Sequence, residues 1–318
     1  MNIFKYRYFY LGIFIVTMIL SILFIFANPY NGWGTKPGSP LNLGIDFTGG
    51  TKIYFPTPRA VSSDEVMAVL QKVDLPNFKV NAPQPSKYID STGVTRHQVL
   101  VYTRFLNDTE QETVIRALEA KFGHVNTGQG LDISRVDPVI GKELVENAVK
   151  AVVIALMLML IYIWFRFELM SGIAAIVALF HDCLLVLGVF GLFAVEVNST
   201  IIAALLTILG YSINDTIVIF DRIRENLKYK SKDTPFVEVA NDSILQTFRR
   251  SLNTSFTTVI AILAFYLVVP NIKELCFALI VGITSGTYSS IFVASPIWAI
   301  YKDHQEKKAA LRKVASAR

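Results

Sequence analysis

Six apolar stretches, four of them free of charge, set the terms for this chain: Tyr8–Ala27, Ala151–Phe165, Leu169–Val195, Val197–Phe220, Ser251–Val269 and Leu275–Tyr301. A helix needs about 20 such residues to cross the hydrocarbon core of a bilayer. The second run is shorter, but Ala148 extends it and Lys150 can snorkel to the interface. With 53% hydrophobic and 17% charged residues, the chain carries less charge than a soluble protein of its length, and these runs hold the excess. The expectation is a polytopic α-helical membrane protein with six transmembrane helices. Lys5 and Arg7 precede the first run as in a signal peptide, yet the run is longer than a signal core of roughly 7–15 residues. No clean small-residue cleavage site follows, so it reads as a retained anchor.

The basic residues orient the chain. Lys5, Arg7 and Arg166 fall on one side, with Arg222, Arg224, Lys228, Lys230, Lys232, Arg249 and Arg250 after the fourth run and Lys302, Lys307, Lys308, Arg312, Lys313 and Arg318 in the tail. The short connections on the other side hold Glu196, Lys273 and Glu274. Both termini are therefore expected in the cytoplasm, and the net charge of +5 reflects topology, with no particular support for nucleic-acid binding. Cys183 and Cys276 lie inside apolar runs and imply no disulfide framework.

The expected organisation is a cytoplasmic N-terminus (1–7), a first transmembrane helix (8–27), and an outer, periplasmic domain (28–147). Transmembrane helices two to six (148–301) follow, with a basic cytoplasmic loop at 222–250 and a basic tail at 302–318. The outer segment is long enough for a small domain. Leu43–Phe55 reads as a strand interrupted by Gly49-Gly50, and Phe78–Ala82, Val99–Thr103 and Leu131–Val136 read as three more. Ser62-Ser-Asp-Glu65 is a capping box ahead of Val66, Leu70 and Val73. Asp108 is expected to cap a second helix that carries Val114, Ile115, Leu118 and Phe122 and stops at Gly123. The order β-α-β-β-α-β is that of an α+β, ferredoxin-like domain. Within the basic loop, Thr234–Arg250 is expected to form a helix along the membrane surface, with Phe236, Val239, Ile244, Leu245 and Phe248 on its apolar face.

Two carboxylates interrupt the runs: Asp182 in the third and Asp215 in the fourth. A charge at the centre of a span costs about 2.5–3.5 kcal/mol even on lenient insertion scales. Burial disfavours the ionised form while donors and cations favour it, so a carboxyl balanced between them can load and release protons. On a helix Asp215 shares a face with Tyr211, Ser212 and Arg222, whereas Asn214 shares another with Thr207, Gly210 and Asp221. Asp221 marks the inner end, roughly 9 Å from Asp215. His181 adjoins Asp182 but points about 100° away on the helix. The plainer alternative is that these groups only fix packing by hydrogen-bonding neighbouring helices. For Gly282-x-x-x-Gly286-x-x-x-Ser290 packing is the better reading, since such a ridge admits another helix closely. Thr254, Ser255, Thr257 and Thr258 either line a polar cavity or bond their own backbone. No metal-ligand spacing, Walker A loop, dinucleotide fingerprint or nucleophile elbow occurs, so no metal or cofactor is expected beyond protons as coupling ion.

Leu43-Gly-Ile-Asp-Phe-Thr-Gly-Gly-Thr51, with Gly44, Asp46, Phe47, Gly49 and Gly50, resembles the motif shared by the SecD/SecF family of bacterial protein translocase subunits. Gly210–Asn226 resembles the SecF branch in particular. His181-Asp182, Asn241-x-Ser-Ile-x-Gln-Thr247, Asn253-Thr-Ser255, Gly286-Thr-Tyr-Ser-Ser290 and Ser295-Pro296 also fit, while Asp137 stands where the family pattern has Gly. The resemblance implies a six-span subunit of the resistance-nodulation-division superfamily in the inner membrane. It further implies pairing with SecD, with YajC as a small associate, to assist the SecYEG channel and the SecA motor. The proton-motive force would then complete export of a translocating polypeptide. By position, Asp182 and Arg222 correspond to charges implicated in proton movement in the family, and Asp215 lies within the same motif.

Other readings compete. A half-size exporter of small molecules on the same scaffold would need a partner, because such exporters usually carry two large outer loops. An intramembrane aspartyl protease would use two Asp residues as a dyad, but the Gly-x-Gly-Asp expected around one of them is absent at Ser212-Ile-Asn-Asp215. A passive scaffold would tolerate replacement of both carboxylates. The expectation is a proton-coupled transport subunit without enzymatic activity.

Overall fold

The computed structural model describes residues 3–26, 41–76, 78, 80, 83–89, 94–123, 130–229, 231, 234–269 and 272–316. They form two compact units: a mixed α/β one of residues 28–149 and 194–199, called the outer unit after its expected side of the membrane, and a helical one of residues 1–27, 150–193 and 200–318.

In the outer unit a single helical turn, α2 (Ile45–Thr48), leads into β1 (Gly50–Thr57). Then come α3 (Ser63–Leu70), β2 (Gln84–Ile89), β3 (Thr95–Thr103), α4 (Asp108–Phe122) and β4 (Asp132–Val136). The strands pair antiparallel in the order β2-β3-β1-β4, the ferredoxin-like arrangement. Alternation along β1 turns Thr51, Ile53, Phe55 and Thr57 inward, and Ile53 stands opposite Val101 on β3 and Ile133 on β4. Ile53, Phe55, Val99 and Val101 close a core with Val66 and Leu70 of α3 and Val114 and Leu118 of α4.

Several local expectations are corrected here. Leu43–Phe55 is not one strand, because Gly49 and Gly50 adopt φ +67° and +134°, which breaks the extended run after α2. The second strand lies later than Phe78–Ala82: residues 79, 81 and 82 are outside the described set, and Val80 makes an isolated bridge to Thr103. Pro85 is tolerated in β2 because that strand lies at the end of the sheet order. Asn107, not Asp108, caps α4, its side chain accepting from the Glu110 amide while Glu110 returns a bond to the Asn107 amide. Around Ser62 only half the box forms; Glu65 donates its amide to Ser62, and its carboxylate pairs with Arg59.

Six helices are long and apolar enough to cross a membrane, judged among the described residues. They are α1 (Arg7–Phe26, preceded by a 3-10 turn at Ile3–Tyr6), α5 (Pro138–Arg166), α6 (Leu169–Leu192) and α7 (Ser199–Tyr229), then α8 (Phe236–Val268) and α9 (Lys273–Ser289), which continues through α10 (Ser295–Ser316). Asp137 accepts from the Val139 amide at 2.8 Å and starts α5, with Pro138 at the first helical position, which accounts for the residue that departs from the family pattern. Between α9 and α10 the helix widens into a π turn at Ser290–Ala294. Pro296 lacks the N–H that an α-helix would donate to the Phe292 carbonyl, and the wider turn absorbs the gap.

Small residues let α1 and α6 approach. A Cβ at Gly188 would lie 2.6 Å from the Ser21 Cα, and one at Gly191 would lie 2.5 Å from the Phe24 carbonyl oxygen. The surface helix expected at Thr234–Arg250 is corrected too. It runs unbroken into the fifth span as α8, and Phe236, Val239 and Ile244 are buried against protein. Trp298 is the reason, with its ring 4.8 Å from Phe220 and 5.0 Å from Phe236. Of the supposed loop at 222–250, Lys230, Lys232 and Asp233 lie outside the described residues, and most of the rest is helical.

Truncating Phe55, fully buried under α3 and α4, should destabilise the outer unit by about 3–5 kcal/mol. Hydrogen exchange of β1 and β3 in the full-length chain should accelerate for Phe55→Ala, while amides of α6 stay unchanged.

Candidate functional site

Asp182 is wholly enclosed, and its surroundings explain how α6 holds a carboxylate at that depth. Ser212 of α7 donates to Oδ2 at 2.7 Å, Ser289 of α9 donates to the same oxygen at 2.7 Å, and Ser285 donates to Oδ1 at 2.6 Å. Ser285 and Ser289 share one face of α9 because they are four residues apart. His181 Nδ1 adds a contact to Oδ1 at 3.2 Å, despite the angular offset expected from adjacency. An ionised carboxylate offers about four acceptor positions, and these partners fill them.

One proton in this group is underdetermined, which gives it chemical interest. The Thr17 hydroxyl of α1 lies 2.9 Å from His181 Nε2, but also 3.0 Å from the Ile13 carbonyl and 2.9 Å from that of Phe14. It has a single hydrogen to give. When that hydrogen points at Nε2, the neutral imidazole carries its proton on Nδ1 and donates to Asp182. When it points at the backbone, Nε2 donates to Thr17, and a further proton must sit between Nδ1 and the carboxyl. Rotation of one hydroxyl therefore selects which ring nitrogen of His181 is called on to donate.

Asp215 heads a separate group. It is nearly buried, Ser255 of α8 approaches its Oδ2 at 3.5 Å, and Thr287 of α9 donates to Ser255 at 2.5 Å. Thr254, Thr257 and Thr258 instead bond their own helix backbone. Arg222 does not join Asp215: its Nε bonds Gln246 at 2.5 Å and its guanidinium pairs with Glu225 at 2.7 Å. Tyr211 meets Thr258 at 3.1 Å, Asp221 pairs with Arg166 at 3.2 Å, and Asn214 is exposed on the helix surface. Of the residues singled out from the sequence, His181 and Asp182 come together, while Asp215, Tyr211, Asn214, Asp221 and Arg222 stand in different environments. Ser285, Ser289 and Thr17 were not anticipated. The four-residue spacing of Ser285 and Ser289 was the available signal, whereas a lone Thr in an apolar run gives none.

The Gly282–Gly286–Ser290 ridge lies against α7. A Cβ at Gly282 would lie 2.5 Å from the Ile208 Cγ1, one at Gly286 would lie 2.8 Å from the Ser212 Cβ, and Ser290 meets Thr216 at 2.9 Å. Close approach here is what brings Ser285 and Ser289 within reach of Asp182.

The Gly-rich segment of the outer unit has its own geometry. The Gly44 amide donates to Val197, and the Val197 amide to Asn42, both at 2.8 Å. Asp46 accepts from the Ser199 amide at 2.8 Å and from its hydroxyl at 2.6 Å. A Cβ at Gly49 would lie 2.5 Å from the Pro138 Cα, and one at Gly50 would lie 2.7 Å from the Thr103 carbonyl oxygen. A Cβ on Gly141 would lie 3.0 Å from the Phe47 carbonyl oxygen. Nearby, Glu196 takes the Lys52 ammonium at 2.7 Å and the Tyr102 hydroxyl at 2.6 Å. Burial alone would lower the Lys52 pKa, but the Glu196 carboxylate outweighs it and the net movement is upward. Burial and Glu196 both raise Tyr102. Both folded values lie above the unfolded ones, near 10.5 and 10.0, so the stabilisation is complete below them and is lost only as pH climbs past them.

Gly286→Val should force α9 off α7 and cost about 1–3 kcal/mol, seen as a lower melting temperature of the detergent-solubilised chain. Gly210→Ala, where a Cβ meets open space, should leave melting unchanged or raise it slightly.

Residues 117–304 match the family described as protein export membrane protein SecD/SecF, C-terminal, and residues 37–57 match the SecD/SecF GG motif. The chain is 38% identical over 271 residues to the protein translocase subunit SecF of Alicyclobacillus acidocaldarius, covering 84% of this chain and 85% of that one. It is 37% identical over 308 residues to the SecF of Synechocystis sp., covering 92% and 93%. The crystal structure of SecDF, a translocon-associated membrane protein from Thermus thermophilus, superposes with a TM-score of 0.79 at 33% identity. That match covers 95% of this chain and 39% of the SecDF chain, so the present chain spans well under half the length of that relative. Six span-length helices, a ferredoxin-like outer unit and sequence identity along most of the length converge on one assignment: this multi-pass membrane protein belongs to the SecF family of protein translocase subunits.

Proposed function

We propose that this chain is the SecF half of a proton-driven export aid, working with a SecD partner in the bacterial inner membrane. In this reading both termini face the cytoplasm and the ferredoxin-like unit faces the periplasm, following the Lys/Arg distribution. The pair acts beside SecYEG and SecA, with YajC as associate, on polypeptide emerging from the channel. The chain carries out no covalent chemistry, and protons are its coupling ion. Need for a SecD partner is supported by relatives named SecDF, in which a single chain is far longer than this one.

One observation carries the proton role: an enclosed Asp182 that touches His181 and takes hydroxyl donors from two further helices. Changing its protonation changes what α7 and α9 gain by holding it. The ionised carboxylate accepts from all three serines; the protonated acid gives up part of that acceptor capacity and becomes a donor. A proton arriving at this site thus alters the force between helices, as coupling between ion flow and movement demands. Within this scheme Asp215, with Ser255 and Thr287, is a second acceptor on α7, and Arg222 and Asp221 lie toward its cytoplasmic end. A purely architectural role would require only that the carboxylate be bonded, with no change of charge.

The test uses inverted membrane vesicles holding SecD with either wild-type chain or Asp182→Asn. Gradient-dependent export should fall to its rate without a proton gradient in the variant, while co-purification with SecD is retained. Asp215→Asn should lower the same component. Wild-type gradient dependence in the Asp182→Asn vesicles would refute the proton role and leave an assembly function.

A further inference from the structure

The Gly-rich segment holds the outer ends of two membrane-crossing helices at once. Its Gly49 and Phe47 backbone lies against Pro138 and Gly141 at the start of α5, and its Asp46 side chain takes the first amide of α7. The connection before α7 is fastened to the same unit on its other side. Asn42 donates to the Ala194 carbonyl at 2.9 Å, Leu43 pairs with Val197, and Glu196 is held by Lys52 and Tyr102. Gly44 is needed there, because a Cβ would lie 2.6 Å from a Glu196 carboxylate oxygen. Ala194, the only non-glycine residue with positive φ among the described residues, turns the chain into this connection.

We propose that residues 42–50 and 194–199 form a latch that holds the entry and first residue of α7, with Asp46 and Glu196 as positioning residues for that helix start. α7 is unbroken from Ser199 to Tyr229. Ser212, which binds Asp182, lies about 20 Å from Ser199 along the axis, and Asp215 roughly one turn beyond. Two features make the hold strong. Asp46 supplies acceptors to a first-turn amide that has no partner within the helix, and its negative charge meets the positive end of the helix dipole. The Lys52–Glu196–Tyr102 group is largely shielded from solvent, where a charge-assisted hydrogen bond is stronger than at an open surface. The latch stands on these contacts alone; the consequence for export rests on the proton-coupled reading above.

The experiment follows hydrogen exchange at residues 199–206 in the full-length chain co-purified with SecD, alongside gradient-dependent export in vesicles. Asp46→Ala should speed exchange of the first turn of α7 about fivefold, the equivalent of losing a helix cap. Asp46→Asn, which keeps an acceptor oxygen, should retain most of the protection. Glu196→Gln should loosen the same segment, and the exchanged pair Lys52→Glu with Glu196→Lys should restore it in part. Gradient-dependent export should fall in Asp46→Ala and recover in Asp46→Asn, whereas Arg116→Ala on exposed α4 should change neither readout. Unchanged exchange in both Asp46→Ala and Glu196→Gln would overturn the latch. Faster exchange with wild-type export would overturn the positioning role. Should Asp46→Ala fail to assemble, Glu196→Gln and the exchanged pair decide by the same criteria. Failure of the proton reading itself is recognised separately, by an Asp182→Asn variant with normal gradient dependence and an exchange pattern that still follows Asp46.

Discussion

A carboxyl group buried among apolar helices needs hydrogen bonds to replace the water it gives up, and the enclosure of Asp182 meets that requirement with hydroxyls from two neighbouring helices and an imidazole from its own. The rest of the helical unit is arranged around that demand. The donors are short side chains, so the helices bearing them must come close, and the glycines at 282 and 286 allow α9 to do so against α7. Gly188 and Gly191 do the same for α6 against α1, which brings Thr17 to the far side of the His181 ring. Longer donors would have relaxed the packing and left the carboxylate more open to solvent.

Polar satisfaction also explains the uneven roles of the hydroxyl-rich stretches. On α8, Thr254 and Thr257 return their hydrogens to their own helix, which costs no partner and carries no information to a neighbour, while Thr258 bonds its own backbone and also meets Tyr211 of α7. On α9 and α7, Ser285, Ser289 and Ser212 give theirs across a helix boundary. Only this second kind can respond when the acceptor changes charge. The π turn at Ser290–Ala294 lies directly beside the serine pair, and such turns are often found at functional positions in helices.

The outer unit shows what the Gly-rich motif is for in structural terms. Gly44, Gly49 and Gly50 are small because other groups occupy the space a side chain would need: a carboxylate at Gly44, the Pro138 ring and backbone at Gly49, a carbonyl oxygen at Gly50. Asp46 is placed between them, facing the start of α7. The ferredoxin-like sheet provides a rigid base for that arrangement, with Lys52 and Tyr102 side by side on β1 and β3.

Much of this could be read from residue order, and the reason is that the relevant physics is local. Span length and charge placement follow from the bilayer requirement, and the strand-helix order of the outer unit follows from alternation and from caps read at Ser62 and at Asp108, the second one residue past the actual cap, Asn107. Asp182 and Asp215 were conspicuous because a charge inside an apolar run needs a cause. Which groups answer that need was not legible. Same-helix spacing placed Ser212 and Arg222 with Asp215, but Ser212 turns to Asp182 and Arg222 to Gln246 and Glu225, because partners on other helices compete for them. The apolar stripe at 236–248 was read as lipid-facing, and only the packing of Trp298 reveals that it is protein-facing. Composition and periodicity by themselves determined six spans, an outer α+β unit and two buried acids; tertiary structure alone decided which hydroxyls meet which acid, since hydrogen bonds between helices depend on distances of closest approach that no single run of sequence contains.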